Sequence, residues 1–310
     1  IDWMPSSMEP ILVLGNGIYV KDGARIIIWP ETALPVYLLS GAYQSIVDTI
    51  RKYVNHNSIH LLTGMPHFVF FNDPKDFPPD VKFNPTSGYH FATYNSVLHF
   101  MPFDYRIKFY GKAKLVPFGE RVPFATQFPL LGELLKWGVG LGMWNEGQDT
   151  TLFQLPLNIL SEEKFINDTL QVAAMVCYES VYPDFIAQFV NKGGNLLTVV
   201  TNDSWYGNTS GPYQHRDIAK LRAIENRRWV VRAANGGISS FIDPLGRETA
   251  NTKMFEKTTL TDYVTIETHK TFYTKNPLLI PIICSVISIW FIGIVILLRI
   301  KKLFQTKKIE

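Results

Sequence analysis

Short runs of consecutive apolar residues alternate along most of the chain with stretches in which apolar positions recur every third or fourth residue. The first kind reads as strands buried on both faces and the second as amphipathic helices. Arg25-Ile26-Ile27-Ile28-Trp29 is one such run, stopped by Pro30-Glu31, and His60-Leu61-Leu62-Thr63-Gly64 is a second. Between them, Gly41 to Tyr53 places Ile46, Ile50 and Tyr53 at helical spacing. Asn72 to Pro85 is rich in Asp, Pro and Asn and predicts an excursion or hairpin tip. Tyr94–Phe100 and Tyr105–Tyr110 predict a strand pair around a turn at Pro102-Phe103-Asp104. Val172–Val176 and Leu196–Thr201 are further buried strands, separated by a helix over Pro183–Asn191. A helix over Tyr213–Arg228 follows, then strands at Trp229–Ala234 and Ile238–Ile242, ended by the turn Asp243-Pro244-Leu245-Gly246. Strands and helices alternating at this spacing predict an α/β domain with covered sheets.

Two segments break the pattern. Phe124 to Trp144 is crowded with Phe, Leu and Trp, but Pro129 and several glycines interrupt any period. It reads either as an exposed apolar arm suited to a membrane interface or as a buried loop-helix. Leu278 to Leu298 holds 21 residues without one charge. As a helix it would cover about 30 Å, the thickness of a bilayer's hydrocarbon core. Arg299, Lys301, Lys302, Lys307 and Lys308 follow directly, which places the C-terminus in the cytoplasm and the preceding domain on the outer face.

The net charge of +3 is too small, and too concentrated in that tail, to argue for nucleic acid. No group of residues has metal-ligand spacing, no glycine-rich phosphate loop follows a strand, and no cofactor is expected. The chain opens on Ile1 with no leader pattern, so it is expected to be processed or a fragment. Nothing in the pattern asks for a second copy, and a monomer is the expectation.

Of the two cysteines, Cys284 falls in the apolar C-terminal stretch, whereas Cys177 ends the run Val172-Ala173-Ala174-Met175-Val176. A lone thiol where a strand meets a turn is either a small buried hydrophobe or a nucleophile in need of a base. Glu31 and Lys112 occupy comparable strand-end positions.

In this order and context, Glu31, Lys112 and Cys177 resemble the catalytic groups of the nitrilase (carbon–nitrogen hydrolase) superfamily. Within it, the apolipoprotein N-acyltransferase family is the nearer likeness. The phrases that carry it are Trp29-Pro30-Glu31-Thr32-Ala33-Leu34-Pro35, Lys112 through Leu115-Val116-Pro117-Phe118-Gly119-Glu120, and Cys177-Tyr178-Glu179. They continue with Asn202-Asp203-Ser204-Trp205-Tyr206-Gly207, Gly211-Pro212-Tyr213-Gln214-His215, Arg222-Ala223-Ile224-Glu225 and Arg232-Ala233-Ala234-Asn235-Gly236-Gly237. The likeness runs over roughly residues 3 to 300. Lys114 stands where that family often has His, and Gly236 where it often has a second Asn.

The resemblance implies a nitrilase-like α-β-β-α sandwich over residues 1–275, a membrane helix over 276–299 and a basic cytoplasmic tail over 300–310. It also implies transfer of an acyl chain from a glycerophospholipid to the α-amine of a diacylated apolipoprotein at the bacterial inner membrane, on its periplasmic face. Glu31 would be the base, Lys112 the oxyanion donor and Cys177 the nucleophile. Glu120 and Glu179 would orient Lys112 and balance its charge, and Tyr178 would line the acyl pocket. Trp3, Trp137, Trp144, Asn202 and Trp205 are candidate pocket residues, with structural bracing as the other reading for Asn202, Asp203 and Trp205. His215 reads as a structural histidine. The family also places a bundle of membrane helices and a further strand before Trp29, so the sequence reads as truncated. Two other functions fit the same residues: a membrane-anchored nitrilase or amidase, and a tethered lipid-binding domain without turnover.

Overall fold

Two β-sheets lie face to face with helices on their outer sides, in a computed structural model that describes residues 13–14, 25–121, 144–160 and 165–306. The first sheet has the order β2 (Ile26–Trp29), β3 (His60–Phe71), β5 (Tyr89–Phe100), β4 (Lys82–Asn84), with β6 (Lys108–Gly111) also paired to β5. The second runs β12 (Glu248–Asn251), β11 (Ser240–Ile242), β10 (Val230–Asn235), β9 (Leu196–Asn202), β8 (Phe165–Val176), β7 (Leu152–Leu160). Its centre, β8-β9-β10, is parallel and its flanks are antiparallel. A short parallel pair joins β1 (Val13–Leu14) to β13 (Tyr263–Val264).

The apolar runs are buried because sheets cover one face and helices the other. Ile26, Ile28, Leu62 and Val97 of the first sheet share a cluster with Phe153, Leu155, Val172, Ala174 and Val199 of the second. On the far side of the first sheet, Ile27, Leu61 and Leu98 meet Val47, Ile50 and Val54 of helix α1 (Gln44–Asn57). Those three helical residues recur on one face, as burial of a single stripe requires. Helix α2 (Pro183–Asn191), with Phe185, Ile186, Phe189 and Val190, and helix α3 (Gly211–Asn226), with Ala219 and Ala223, join the cluster of the second sheet. The expected α-β-β-α sandwich is the observed one.

Several boundaries moved. Helix α1 starts at Gln44 rather than Gly41, because Leu38–Ser40 forms a 3-10 turn and Gly41 takes a left-handed φ of 88° that an α-helix cannot include. Strand β3 runs past Gly64 to Phe71 and pairs with β5 from Leu61↔Phe100 to Phe71↔His90. The Asn72–Pro85 segment is the tip of that hairpin, with a short turn at Pro74–Asp76 and strand β4. The pair around Pro102-Phe103-Asp104 is β5 with β6, the latter beginning at Lys108.

A one-turn helix α4 (Phe272–Lys275) is tied to the domain through Thr271 Oγ1 to the Glu225 carbonyl (2.6 Å), Thr274 Oγ1 to Asn226 Oδ1 (3.0 Å) and Asn191 Nδ2 to the Thr274 carbonyl (2.6 Å). Helix α5 (Leu279–Thr306) follows. Its stretch Leu279–Lys301 is long and apolar enough to cross a membrane, and none of its apolar window is buried against the domain.

Candidate active site

Strands β2, β6, β8 and β9 all end in one region between the sheets, and each end carries a functional group. Glu31 follows β2, where Pro30 breaks the strand, and is 7% exposed. Its backbone presses on β3 at Gly64, where a Cβ would lie 2.6 Å from the Glu31 Cα, so only glycine fits. Asn95 Nδ2 of β5 donates to Glu31 Oε1 (2.6 Å), and the backbone N–H of Asn202 at the end of β9 donates to Oε2 (2.8 Å). The carboxylate is thereby held from both sheets.

Lys112 follows β6 and is 1% exposed. Its N–H donates to the Asn95 carbonyl (2.8 Å) and its carbonyl accepts from the Gly147 N–H (2.8 Å). A Cβ on Gly147 would sit 2.0 Å from the Gly111 carbonyl oxygen, so this contact also requires glycine. Lys112 Nζ lies 2.9 Å and 2.8 Å from the two oxygens of Glu120, which also accepts from the Val116 N–H (2.8 Å) and from Asn95 Nδ2 (3.0 Å). Burial works against the ammonium charge, but Cys177, Glu31 and Glu120 around it outweigh burial and hold its pKa above the usual value.

Cys177 follows β8 with φ 50°, the left-handed region that ordinary side chains enter only when their surroundings hold them there. Burial and the neighbouring charge of Glu31 push its thiol up to about 12, against Lys112 and a hydrogen bond with Thr201, which pull the other way. The resting group is a thiol, and it needs a base to become a nucleophile.

The turn Cys177–Val181 is fixed by three buried side chains. Glu179, fully buried, accepts from the Val176 N–H at Oε2 (2.7 Å). Its Oε1 accepts from Tyr110 Oη (2.6 Å) and from the N–H groups of Ala113 (2.6 Å) and Lys114 (3.1 Å). Glu179 therefore joins the backbone beside Cys177 to the backbone beside Lys112. It bonds backbone and a tyrosine and makes no hydrogen bond to the Lys112 ammonium, so its hold on Lys112 runs through the backbone of Ala113 and Lys114. Glu120 does make that contact. His215 places Nδ1 3.0 Å from Asp203 Oδ1, and Nε2 3.1 Å from the Cys177 carbonyl and 3.0 Å from Ser180 Oγ. Asp203 in turn pairs with the buried Arg232. The third side chain, Arg222, donates to the carbonyls of Ser180 and Val181 (3.3 Å each).

The candidate pocket residues fare differently. Asn202 reaches Glu31 through its backbone, while its side chain caps the next turn at Ser204. Trp205 lies on that turn and is 82% exposed. Tyr178 sets its ring edge-on against Tyr182, centroids 5.5 Å apart. Trp144 is half-buried just before Asn145, whose N–H bonds the Thr93 carbonyl (2.7 Å). Trp3, Trp137 and most of the Phe124–Trp144 segment lie outside the described residues. Asn95, Gly64 and Gly147 were not singled out in the sequence. The polar pair Asn95-Ser96 inside the buried run of β5 was the available signal.

Comparison with known proteins gives the family. The family model for carbon–nitrogen hydrolases matches residues 9–271. A Chlorobaculum tepidum protein named apolipoprotein N-acyltransferase is 37% identical over 262 residues, covering 84% of this chain and 47% of that one. A Pseudomonas syringae pv. tomato protein of the same name is 32% identical over 261 residues, covering 82% and 44%. The chain thus spans about half the length of these curated relatives. Among solved structures, Saccharomyces cerevisiae Nit3, a member of branch 10 of the nitrilase superfamily, superposes with a TM-score of 0.47 at 14% identity, covering 76% of this chain and 75% of that one. With the family model spanning nearly the whole described domain, this chain belongs to the carbon–nitrogen hydrolase family.

Proposed function

We propose that this chain is the catalytic part of an N-acyltransferase that moves a fatty acyl group from a glycerophospholipid to the α-amine of a diacylglyceryl-cysteine on an apolipoprotein. One observation carries the reading. A half-buried thiol between a buried carboxylate and a buried ammonium sits in the same chain as an exposed apolar helix long enough to cross a membrane. The names of the curated relatives point the same way.

Glu31 takes the thiol proton as Cys177 Sγ attacks the ester carbonyl. The oxyanion that forms is met by the Lys112 ammonium and by the backbone N–H that follows Cys177. Losing one such donor typically costs about 10²–10³ in rate. Collapse expels the lysophospholipid, whose alkoxide regains the proton from Glu31, and leaves a thioester on Cys177. In the second half the acceptor amine gives a proton to Glu31 and attacks the thioester. Cys177 departs as the thiol, and the amide product is released in a ping-pong cycle. Asn95 and the Asn202 N–H hold Glu31 in place through both halves. In this reading the domain faces the periplasm of a bacterial inner membrane, as a monomer, with phospholipid and diacylated apolipoprotein as its partners.

The family match keeps a second reading in view, a membrane-anchored amidase in which water replaces the amine. Intact-mass measurement after incubation with phospholipid, wild type against Cys177→Ala, separates the two. The transferase gives an acyl adduct on the wild type alone, which is discharged by a diacylated lipopeptide. An unmodified wild type that instead releases ammonia from simple amides would overturn the proposal.

A further inference from the structure

Beside the catalytic groups lies a cavity of about 240 Å³ lined by Lys114, Leu115, Pro117, Arg121, Glu146 and Tyr182. Nothing in the acyl-transfer steps above uses it. One wall is the loop that starts at Lys112 and ends at Glu120, the two members of the buried ion pair. The other is Tyr182, edge-on against Tyr178, the residue after Cys177. Lys112 also acts electrostatically on the Tyr182 hydroxyl, which places the cavity within reach of the same charge that faces the thiol.

The charges in this cavity are unevenly matched. Arg121 Nη1 is bracketed by Asp80 (3.0 Å) and Glu146 (3.5 Å). Lys114 is half-buried, its ammonium 5.4 Å from the Phe185 ring centroid, and among the described residues no carboxylate lies within ion-pair distance of it. Its backbone cannot drift, because its N–H is one of the donors held by Glu179. Lys114 thus offers a cationic group at the cavity without a carboxylate partner among the described residues, and an arriving anion would give it a charge-assisted contact.

We infer that this cavity takes the phosphodiester of the donor phospholipid, with Lys114 as its cationic contact and Tyr182 as a wall. The inference rests on the phospholipid-to-amine reading above. The cavity has the volume of about eight water molecules at ~30 Å³ each, enough for a phosphate and a small substituent. It is an open cleft of mixed lining, with Lys114 and Arg121 beside Leu115 and Pro117, which suits a charged headgroup at the surface better than an acyl chain that needs enclosure. In a glycerophospholipid the phosphate stands one glycerol away from the ester, and Tyr182 of the cavity caps the turn that Cys177 opens.

The site also answers a problem that the reaction poses. Donor and acceptor both carry a diacylglyceryl group, and both must reach the same thiol in turn. Their esters are alike, and the phosphate is what the donor has and the acceptor lacks. A cation at Lys114 selects the donor for the loading half-reaction and disfavours a protonated acceptor amine there. Lys114 is a specificity contact and not a member of the proton relay.

Binding to the Cys177→Ala chain in detergent micelles tests the inference without turnover, using dihexanoyl phosphatidylglycerol, dihexanoylglycerol and inorganic phosphate as separate probes. Lys114→Gln is expected to weaken phospholipid binding about tenfold or more and leave dihexanoylglycerol unchanged, since charge-assisted contacts are worth about that much. Lys114→Arg keeps phospholipid binding, which guards against a folding artefact. Equal loss for both lipids, no loss for either, or inorganic phosphate binding as tightly as the phospholipid would overturn the assignment. Loading of the wild-type thiol is measured separately by intact mass. A wild type that binds phospholipid through Lys114 yet forms no adduct would sink the transferase reading and leave the phosphate site standing.

Discussion

Replacing Glu179 with Gln alters one atom at the joint between the Cys177 turn and the Lys112 loop. All four partners of the carboxylate are donors: Tyr110 Oη and the N–H groups of Ala113, Lys114 and Val176. An amide offers one oxygen and one NH₂, so at least one partner must face a donor. The better placement keeps the oxygen toward Tyr110, Ala113 and Lys114, and the NH₂ then meets the Val176 N–H at what is now a 2.7 Å contact. A stranded buried N–H costs about 1–3 kcal/mol, and three hydrogen bonds whose acceptor changes from charged to neutral cost about a further 1–2 kcal/mol together. About 4 kcal/mol of loss corresponds to a fall in Tm of roughly 10 °C for a domain of this size. The measurement is thermal unfolding of Glu179→Gln and wild type in the same detergent, with acyl loading of Cys177 followed by intact mass well below both transitions. Loading is expected to fall with stability, since Val176 and Lys114 flank the reacting groups. A Tm within 2 °C of wild type together with full loading would refute the claim that the carboxylate's charge holds the two loops in register.

Three further outcomes follow from the same structure. Asp203→Asn leaves Arg232, whose side chain is fully buried, without its carboxylate, a change that typically costs about 3–5 kcal/mol; the urea midpoint should fall accordingly, and an unshifted midpoint would contradict the pairing. Gly147→Ala forces a Cβ into the Gly111 carbonyl and moves the Lys112 strand end, so loading of Cys177 should drop by up to about 10²-fold while unfolding changes less, and unchanged loading would show that Lys112 tolerates displacement. His60 and His99 share a buried contact of 3.0 Å, and burial lowers their pKa values to about 4 and about 3, opposed at His60 by a hydrogen bond with the Pro156 backbone and reinforced at His99 by His60 and Lys108 against Asp104. The unfolded chain takes up these protons first, so the contribution is complete above about pH 6.5 and is lost as pH falls through 4 and 3; His99→Gln should flatten the dependence of the urea midpoint between pH 6.5 and 5, and an unaltered slope would refute it.

The parts of the fold that the sequence announced are those where both faces of a strand are covered. Val172–Val176 and Leu196–Thr201 are continuous apolar runs because a sheet lies on one side and helices on the other. Strand β7 leaves a weaker mark in the sequence because it is an edge. Gln154 and Pro156 point out while Phe153 and Leu155 point in, and a proline is tolerated there because one side of the strand has no ladder to join. The far half of β3 was hidden by Gly64 and Pro66, which look like breakers. Gly64 is in fact where the chain of Glu31 crosses closest. At the site, Glu31, Lys112 and Cys177 were visible as ionisable groups closing apolar runs. Asn95 was not, since its bridge between Glu31 and Glu120 exists only after β5 has been laid across both strand ends. The role of Glu179 was half legible. Its burial follows from the motif, but the direction in which it bonds depends on β6 arriving beside it.

The two hydrogen bonds on the Glu31 carboxylate come from residues 64 and 171 positions further along the chain. Neither can form locally, and each waits on a different sheet. During folding the Glu31 carboxylate is therefore fixed only when both sheets have closed on one another, after long loops have been ordered. A chain caught part-way has a thiol with no proton acceptor fixed beside it. Under the proposed function, this topology delays reactivity toward lipid esters until the architecture is finished.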